Sequence, residues 1–332
     1  MLNIGHTIKE AKTLYIDMPI TDLKKYQGIN PKPMDFDEYW TRALLDLENL
    51  SMQYELIPAS IQNNVADCYH LYFIGVGGAR IHCKFVKPKS QSTPGPGLAM
   101  FHGYSMNSGD WFDKIAYAAQ GFTVLALDCR GQGGLSEDIV PVKGPTLRGH
   151  IIRGIDDPNS ANMYYRQVFL DTVQTVQILM SMDGVNEDRI GVMGWSQGGA
   201  LATACAALEP KVKKAIAIYP FLSDYKRAWE MDINLSAYAE IADYFRMFDP
   251  LHERENEIFT KLGYIDIQHL AERIQASVHW VTGLTDEVCP PSTQFATFNK
   301  IVSEKELLLY HEYGHENLPN IVDVCLQRLL TL

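Results

Sequence analysis

The sequence predicts an α/β protein, a mostly parallel central sheet with helices on both faces, and three observations carry that expectation. After Pro96 short apolar runs alternate with helical patterns: Leu98–Phe101, Phe122–Leu127, Arg189–Met193, Ala215–Tyr219, Val278–Thr282 and Leu307–Tyr310. They are short, bounded by glycine or charge, and several are apolar almost throughout, which is how strands buried on both faces of a parallel sheet read. The stretches between them have helical periodicity, as in the stripes Phe169, Val173, Val176, Met180 and Leu318, Ile321, Val322, Cys325, Leu329. Strand and helix patterns in alternation imply helices packed on both faces of one sheet.

The elements before and within this alternation follow from local signals. Asp35 and Glu38 have capping-box spacing ahead of Phe36, Trp40, Leu44 and Leu47, which predicts a helix there. Tyr69 to Lys87 reads as a hairpin turning at Gly77-Gly78. Residues 1–66 are therefore expected to be an N-terminal extension with a helix. From 223 to 275 no strand is evident, and Trp229, Tyr238, Tyr244, Phe245 and Phe248 fall among charges, so this stretch is expected to be a helical insertion over one end of the sheet. No repeat or low-complexity tract divides the chain, and one α/β unit of 332 residues is the expected organisation.

Composition excludes several classes of partner. A formal net charge of −11 repels phosphate backbones and argues against nucleic acid. No run approaches the roughly 18 apolar residues of a membrane span, and the first residues lack the basic and apolar regions of a secretory signal, so a cytoplasmic location is expected. The six cysteines form no CxxC pair and sit mostly in apolar runs, which reads as free buried thiols. No His/Cys cluster has metal-ligand spacing, and no metal site is expected.

The chemistry is written in Gly194-Trp195-Ser196-Gln197-Gly198-Gly199. A bare GxSxG is common by chance, but this one follows a predicted strand and precedes a predicted helix, the context of a nucleophile elbow in an α/β-hydrolase fold. Side chains two residues on either side of the serine would collide, hence the glycines. A serine hydroxyl needs a base to take its proton. In this fold the order is serine, acid, histidine. Of the downstream histidines, His252 and His269 lie in the insertion, His279 lies inside a strand, and His311 ends one. His315 follows the last strand in a loop that can swing an imidazole over the sheet edge, and it is the chosen base, with His311 as alternative. The acid is expected after Val278–Thr282, at Asp286, with Glu287 as alternative. The two oxyanion donors are expected to be the N–H groups of Gln197 and, in the loop His102-Gly103-Tyr104-Ser105, of Tyr104. His102 precedes the nucleophile and is read as structural. In Asp128-Cys129-Arg130-Gly131-Gln132, Arg130 is read as tying neighbouring loops together through its fork of donors.

Taken together, Arg130-Gly131-Gln132, Gly194-Trp195-Ser196-Gln197-Gly198 and His315-Glu316 resemble the three signatures of the carbohydrate esterase group (family 7) that contains acetyl xylan esterases and cephalosporin C deacetylases. Pro33 to Trp40, Arg153-Gly154-Ile155, Tyr164-Tyr165-Arg166, Gly283 to Asp286 and Cys289 to Thr293 are also similar, so the resemblance spans about residues 33–330. The chain departs at Val288 and at Trp195, where that group typically carries a smaller residue. The resemblance implies a serine carboxylesterase that removes acetyl groups from acetylated xylo-oligosaccharides and other small acetate esters, cephalosporin C included, with no cofactor or metal. It also implies a ring-like homohexamer whose active sites open into a shared interior.

Two other readings compete. A serine peptidase of the prolyl-oligopeptidase type also suits Gly-Trp-Ser-x-Gly-Gly, but those enzymes usually carry a propeller domain, and only about 95 residues precede the sheet here. A catalytically inert binding protein on the same fold would not need serine, acid, histidine and oxyanion loop together.

Overall fold

The computed structural model describes residues 16–139, 148–232 and 238–332. Parts of the expected extension (1–15) and of the insertion (233–237) lie outside the described residues. The chain opens with the short helix α1 (Ile20–Leu23) and α2 (Phe36–Glu48), then β1 (Tyr54–Pro58), β2 (Ala66–Ile74) and β3 (Arg80–Pro88). The alternation follows: β4 (Gly95–Phe101), α3 (Trp111–Ala118), β5 (Thr123–Leu127), α4 (Tyr164–Met180), β6 (Val185–Trp195), α5 (Gln197–Leu208) and β7 (Lys214–Ile218). After α6 (Tyr225–Glu230), α7 (Ala239–Phe248) and α8 (Glu255–Leu262) come β8 (Ser277–Gly283), α9 (Pro291–Lys300), β9 (Lys305–Tyr310) and α10 (Ile321–Leu329).

The nine strands form one sheet in the order β1-β2-β3-β5-β4-β6-β7-β8-β9. β1, β2 and β3 pair antiparallel, β3 joins β5 antiparallel, and every pair from β5 to β9 is parallel. The six expected strands are all present, each within a few residues of its apolar run. β1 was not anticipated because it is an edge strand exposed along its length, with no buried face to impose alternation. Period-2 alternation divides the core between the two faces. Ala99, Leu125, Val192, Ala217 and Trp280 pack on one side with α2, α4 and α5. Leu98, Val124, Met193, Ile216 and Val281 pack on the other against α3 and α10. Helix α5 is built from Gly, Ala and Thr with few larger side chains, and all of its residues are buried, so it can sit close to the sheet. No helix of the described residues is long and apolar enough to cross a membrane.

Three local expectations change. The Asp35 carboxylate makes no cap bond to α2. It accepts from the Tyr264 hydroxyl and faces Arg42 instead, so a tertiary contact outcompetes the local one. Helix α4 is buried on nearly every side and not along one stripe, because the sheet, α5 and α2 all pack on it. Val322 points outward at 58% exposure while Ile321, Cys325 and Leu329 face the core.

The insertion is helical, as expected, and is held at both ends by carboxylates. Asp224 Oδ1 accepts from the backbone N–H groups of Ile29 and Asn30, at 3.0 and 2.8 Å, and its Oδ2 accepts from the Tyr26 hydroxyl at 2.8 Å. Asp266 Oδ2 accepts from the N–H of Asp224 at 3.0 Å and from Gln268 Nε2 at 2.9 Å. Burial, and then the Asp224 charge, push the Asp266 carboxyl up to about 7. Its ordinary value, approached in the unfolded chain, is 3.8, so folding takes up a proton between those values. This group's contribution to stability is therefore lost as pH rises through that window. Asp266→Asn should flatten the dependence, so that thermal unfolding followed at pH 5 and pH 8 shows the variant losing about 1–2 kcal/mol less than the parent. Identical pH profiles would refute the assignment.

Candidate active site

A sheet whose chain leaves β4 for β5 on one side and later returns as β6 on the other has a switch point at the carboxyl ends of β4 and β6, where such folds bind ligands. The sequence-predicted residues converge there. Ser196 ends β6 and starts α5 at φ 56°, ψ −119°, a strained conformation for a residue with a side chain. The turn is packed on its glycines: a Cβ on Gly198 would lie 2.0 Å from the carbonyl oxygen of Phe101, and one on Gly194 would lie 2.4 Å from the carbonyl carbon of Gly198. As the first residue of α5, Gln197 has an N–H with no acceptor one turn back, and the helix dipole adds to its pull on negative charge.

His315 Nδ1 donates to Asp286 Oδ2 at 2.9 Å. That bond fixes the proton on Nδ1 and leaves Nε2 free to accept. Asp286 is fully buried, and its Oδ1 accepts from the N–H groups of Val288 and Cys289, at 2.9 and 2.8 Å. The His315 ring lies against Tyr219, with centroids 4.5 Å apart. Ser196 and His315 line one cavity of ≈ 400 Å³ with Trp195, Tyr219, Gly103 and Met106. The alternatives are elsewhere: Glu287 and His311 are exposed, His279 pairs with Glu306 at 3.0 Å, and His252 and His269 pack among aromatic rings of the insertion and of α2.

His102 has both ring nitrogens in use. Its Nδ1 donates to the Gly103 carbonyl at 2.7 Å, and its Nε2 accepts from the Cys129 N–H at 2.9 Å. Burial holds it neutral by lowering its pKa. It therefore ties the loop after β4 to the loop after β5, the structural role expected. Arg130 grips Asp171 of α4 with Nε and Nη2, at 2.7 and 2.6 Å, and donates from Nη1 to the Val76 carbonyl at 3.1 Å. The tie runs to α4 and the hairpin turn. Gly131 takes φ 63°, and Gln132 is brought onto Gln197. Gln132 Nε2 donates to Gln197 Oε1 at 2.9 Å, and Gln197 Nε2 donates back to Gln132 Oε1 at 3.1 Å. Gln132 Oε1 also holds the N–H of Ser105 at 2.8 Å, next to Tyr104. Gln197 and, through the Ser105 N–H, the loop that carries Tyr104 are thus attached to one part-buried amide pair.

Several contributors were not assigned from sequence. Tyr165 donates to Gln197 Oε1 at 2.8 Å. The segment after β7 runs through positive φ at Tyr219 and Leu222, and the Phe221 N–H binds the Ser196 carbonyl at 3.1 Å. Cys289 is buried with its thiol against Ser196. Burial raises that thiol's pKa well above the usual range, which keeps it protonated. Asp286, Cys289 and His315 bring one donor atom each to within 4.8 Å of one another, a metal-capable grouping that spacing along the chain did not reveal because 29 residues separate Asp286 from His315. Asp286 and His315 already bond to each other there. Tyr165 and Cys289 left a trace in sequence only as members of the stretches that carry the family resemblance, with no role read from either.

Strand order and a strained serine elbow beside a buried carboxylate–imidazole pair are those of an α/β-hydrolase fold, and the proteins that the chain matches make it a carboxylic ester hydrolase. A family profile described as acetyl xylan esterase (AXE1) matches residues 14–331, and the chain belongs to that family. Acetyl xylan esterase 1 from Thermoanaerobacterium superposes with a TM-score of 0.93 at 56% identity, over 95% of this chain and 99% of that one. An acetyl xylan esterase from Paenibacillus gives 0.90 at 34% identity, with the same shares covered. The acetyl esterase Axe7A of Xylanibacter ruminicola is 27% identical over 327 residues, 89% of this chain and 69% of that protein. An acylaminoacyl peptidase from Pyrococcus horikoshii shares the fold alone, at TM-score 0.58 and 15% identity over 40% of its length.

Gly198→Ala tests the packing of the elbow. The added methyl must push Phe101 or the start of α5 aside, at a cost of about 1–3 kcal/mol in stability. Fluorophosphonate labelling should slow along with the drop in thermal stability. Parent-like stability and labelling in the variant would show that the turn has room to spare.

Proposed function

We propose that the protein deacetylates small acetate esters, acetylated xylo-oligosaccharides above all and the acetyl arm of cephalosporin C among others, through an acyl-enzyme on Ser196. The observation that carries this is the buried Asp286 bonded to His315 Nδ1, with His315 Nε2 free and Ser196 on the wall of the same cavity. Ser196 Oγ attacks the acetyl carbon as His315 Nε2 takes its proton, and Asp286 stabilises the imidazolium. The carbonyl oxygen becomes an oxyanion between the N–H groups of Tyr104 and Gln197. Collapse expels the sugar alkoxide, which takes the proton from His315 and leaves acetyl-Ser196. Water, deprotonated by His315, then attacks the acyl-enzyme, and acetate departs as Ser196 regains its proton. The chemistry requires no cofactor, and a cavity of ≈ 400 Å³ suits an ester of small size.

Ser196→Ala should lower kcat by a factor on the order of 10⁶ while the protein stays folded. His315→Ala should do comparable damage and His311→Ala little, measured on nitrophenyl acetate, acetylated xylo-oligosaccharides and cephalosporin C. A folded His311→Ala as inactive as Ser196→Ala would overturn the base assignment. Faster turnover of a prolyl amide than of an acetyl ester would favour the peptidase reading.

Assembly as a hexameric ring is proposed on family grounds. Its support here is the exposed edge strand β1, which presents Tyr54, Leu56 and Ile57 to solvent beside unpaired backbone groups. Sedimentation should give six copies, and polymeric acetylxylan should react far more slowly than its fragments. A monomer that attacks both equally fast would sink the ring.

A further inference from the structure

Glu240 lies on α7 of the insertion, 136 residues from Tyr104, yet its carboxylate sits beneath the loop after β4. It is 2% exposed. Oε1 accepts from the Tyr104 hydroxyl at 2.8 Å and from the N–H of His150 at 3.1 Å, while Oε2 accepts from the N–H of Ile152 at 3.0 Å. The Tyr104 hydroxyl in turn accepts from the His150 N–H at 2.7 Å. A Cβ on Gly149 would lie 2.3 Å from Oε1, so the backbone of 148–152 wraps directly against the carboxylate. Three distant segments meet at one side chain. Burial pushes its pKa up to about 7, so the arrangement is held against a desolvation cost. An apolar side chain could fill the space without that cost, but it could accept none of these donors.

We propose that Glu240 is a positioning residue for the oxyanion hole: by holding the Tyr104 hydroxyl it fixes the loop so that the Tyr104 backbone N–H faces the ester carbonyl oxygen. This rests on the reading of Tyr104 as an oxyanion donor. Glu240 itself does not line the cavity that holds Ser196 and His315. The loop's other restraints act on its neighbours: His102 is tied to the loop after β5, and the Ser105 N–H to Gln132. The peptide between them includes Gly103, which is conformationally free, and the Tyr104 side chain is the anchor that Glu240 supplies. An oxyanion donor matters most in the transition state, so its displacement lowers kcat and leaves KM nearly unchanged.

The experiment is a mutant cycle on nitrophenyl acetate, with Ser196→Ala as reference. Glu240→Gln keeps the volume but turns a donor amide toward donors, and kcat should fall about 10- to 100-fold with KM within about twofold. Tyr104→Phe removes the hydroxyl, keeps the backbone N–H, and should lose a similar factor. The double variant should be no worse than the poorer single one, because both break the same link. A boronic acid that mimics the tetrahedral intermediate should weaken in proportion to kcat. If Glu240→Gln does not fold, Tyr104→Phe alone decides through the same split. A kcat within twofold of the parent in folded variants, or a loss confined to KM, overturns the proposal while an inactive Ser196→Ala leaves the serine mechanism standing. An active Ser196→Ala would instead bring down the serine reading itself.

Discussion

Ser196 holds a backbone conformation that costs an L-residue about 1–3 kcal/mol, and much of the surrounding structure serves to keep it there. Its N–H donates to the Ile218 carbonyl at 2.9 Å, and its carbonyl accepts from Ala200 and Phe221, both at 3.1 Å. β7 with the segment after it on one side and α5 on the other thus hold the peptide groups before and after Ser196. Gly194 and Gly198 let β4 come within contact of the turn, so the loop that carries Tyr104 starts beside the serine. Strain at one residue is held by packing spread over three elements. The same packing requires α5 to be made of small residues, because a bulkier helix could not sit so close to β6 and β7.

Around that turn the polar groups are arranged as acceptors for backbone N–H donors. Asp286 accepts two N–H groups before it meets His315, and Asp128 Oδ1 and Oδ2 take the N–H groups of Ser108 and Leu135, at 2.6 and 2.9 Å. His82 Nδ1 donates to the same Asp128 at 2.6 Å. Burial alone would raise the Asp128 carboxyl, yet His82 and these N–H groups hold it well below the usual range. Each site loop is therefore shaped by a carboxylate or amide that gathers its N–H groups, and a loop held in this way keeps its geometry without regular secondary structure.

The parallel half of the sheet was legible because its strands are apolar on both faces, and the elbow was legible because glycine spacing and strand–helix context coincide. Asp286 and His315 could be placed because chain order in this fold limits the choice to the loops after the last two strands. What stayed hidden has a common physical cause. β1 is an edge strand with no buried face to pattern it. Glu240, Tyr165 and Cys289 act through contacts between residues far apart in sequence, and nothing local marks a buried glutamate on a helix as different from a solvated one. Asp35 shows the opposite failure, in which a sound local signal yields to a tertiary partner.

The paired amides of Gln132 and Gln197 have an evolutionary consequence. Each side chain supplies the donor that satisfies the other's oxygen and the oxygen that satisfies the other's donor. Replacing either one takes two hydrogen bonds from its partner, at about 0.5–1.5 kcal/mol each, although Tyr164 and Ser105 still meet the Gln132 amide and His102 and Tyr165 that of Gln197. The two positions are therefore epistatic. A path to any other pair through single substitutions begins with a loss, so the two signatures that contain these glutamines, 65 residues apart, should drift together or not at all.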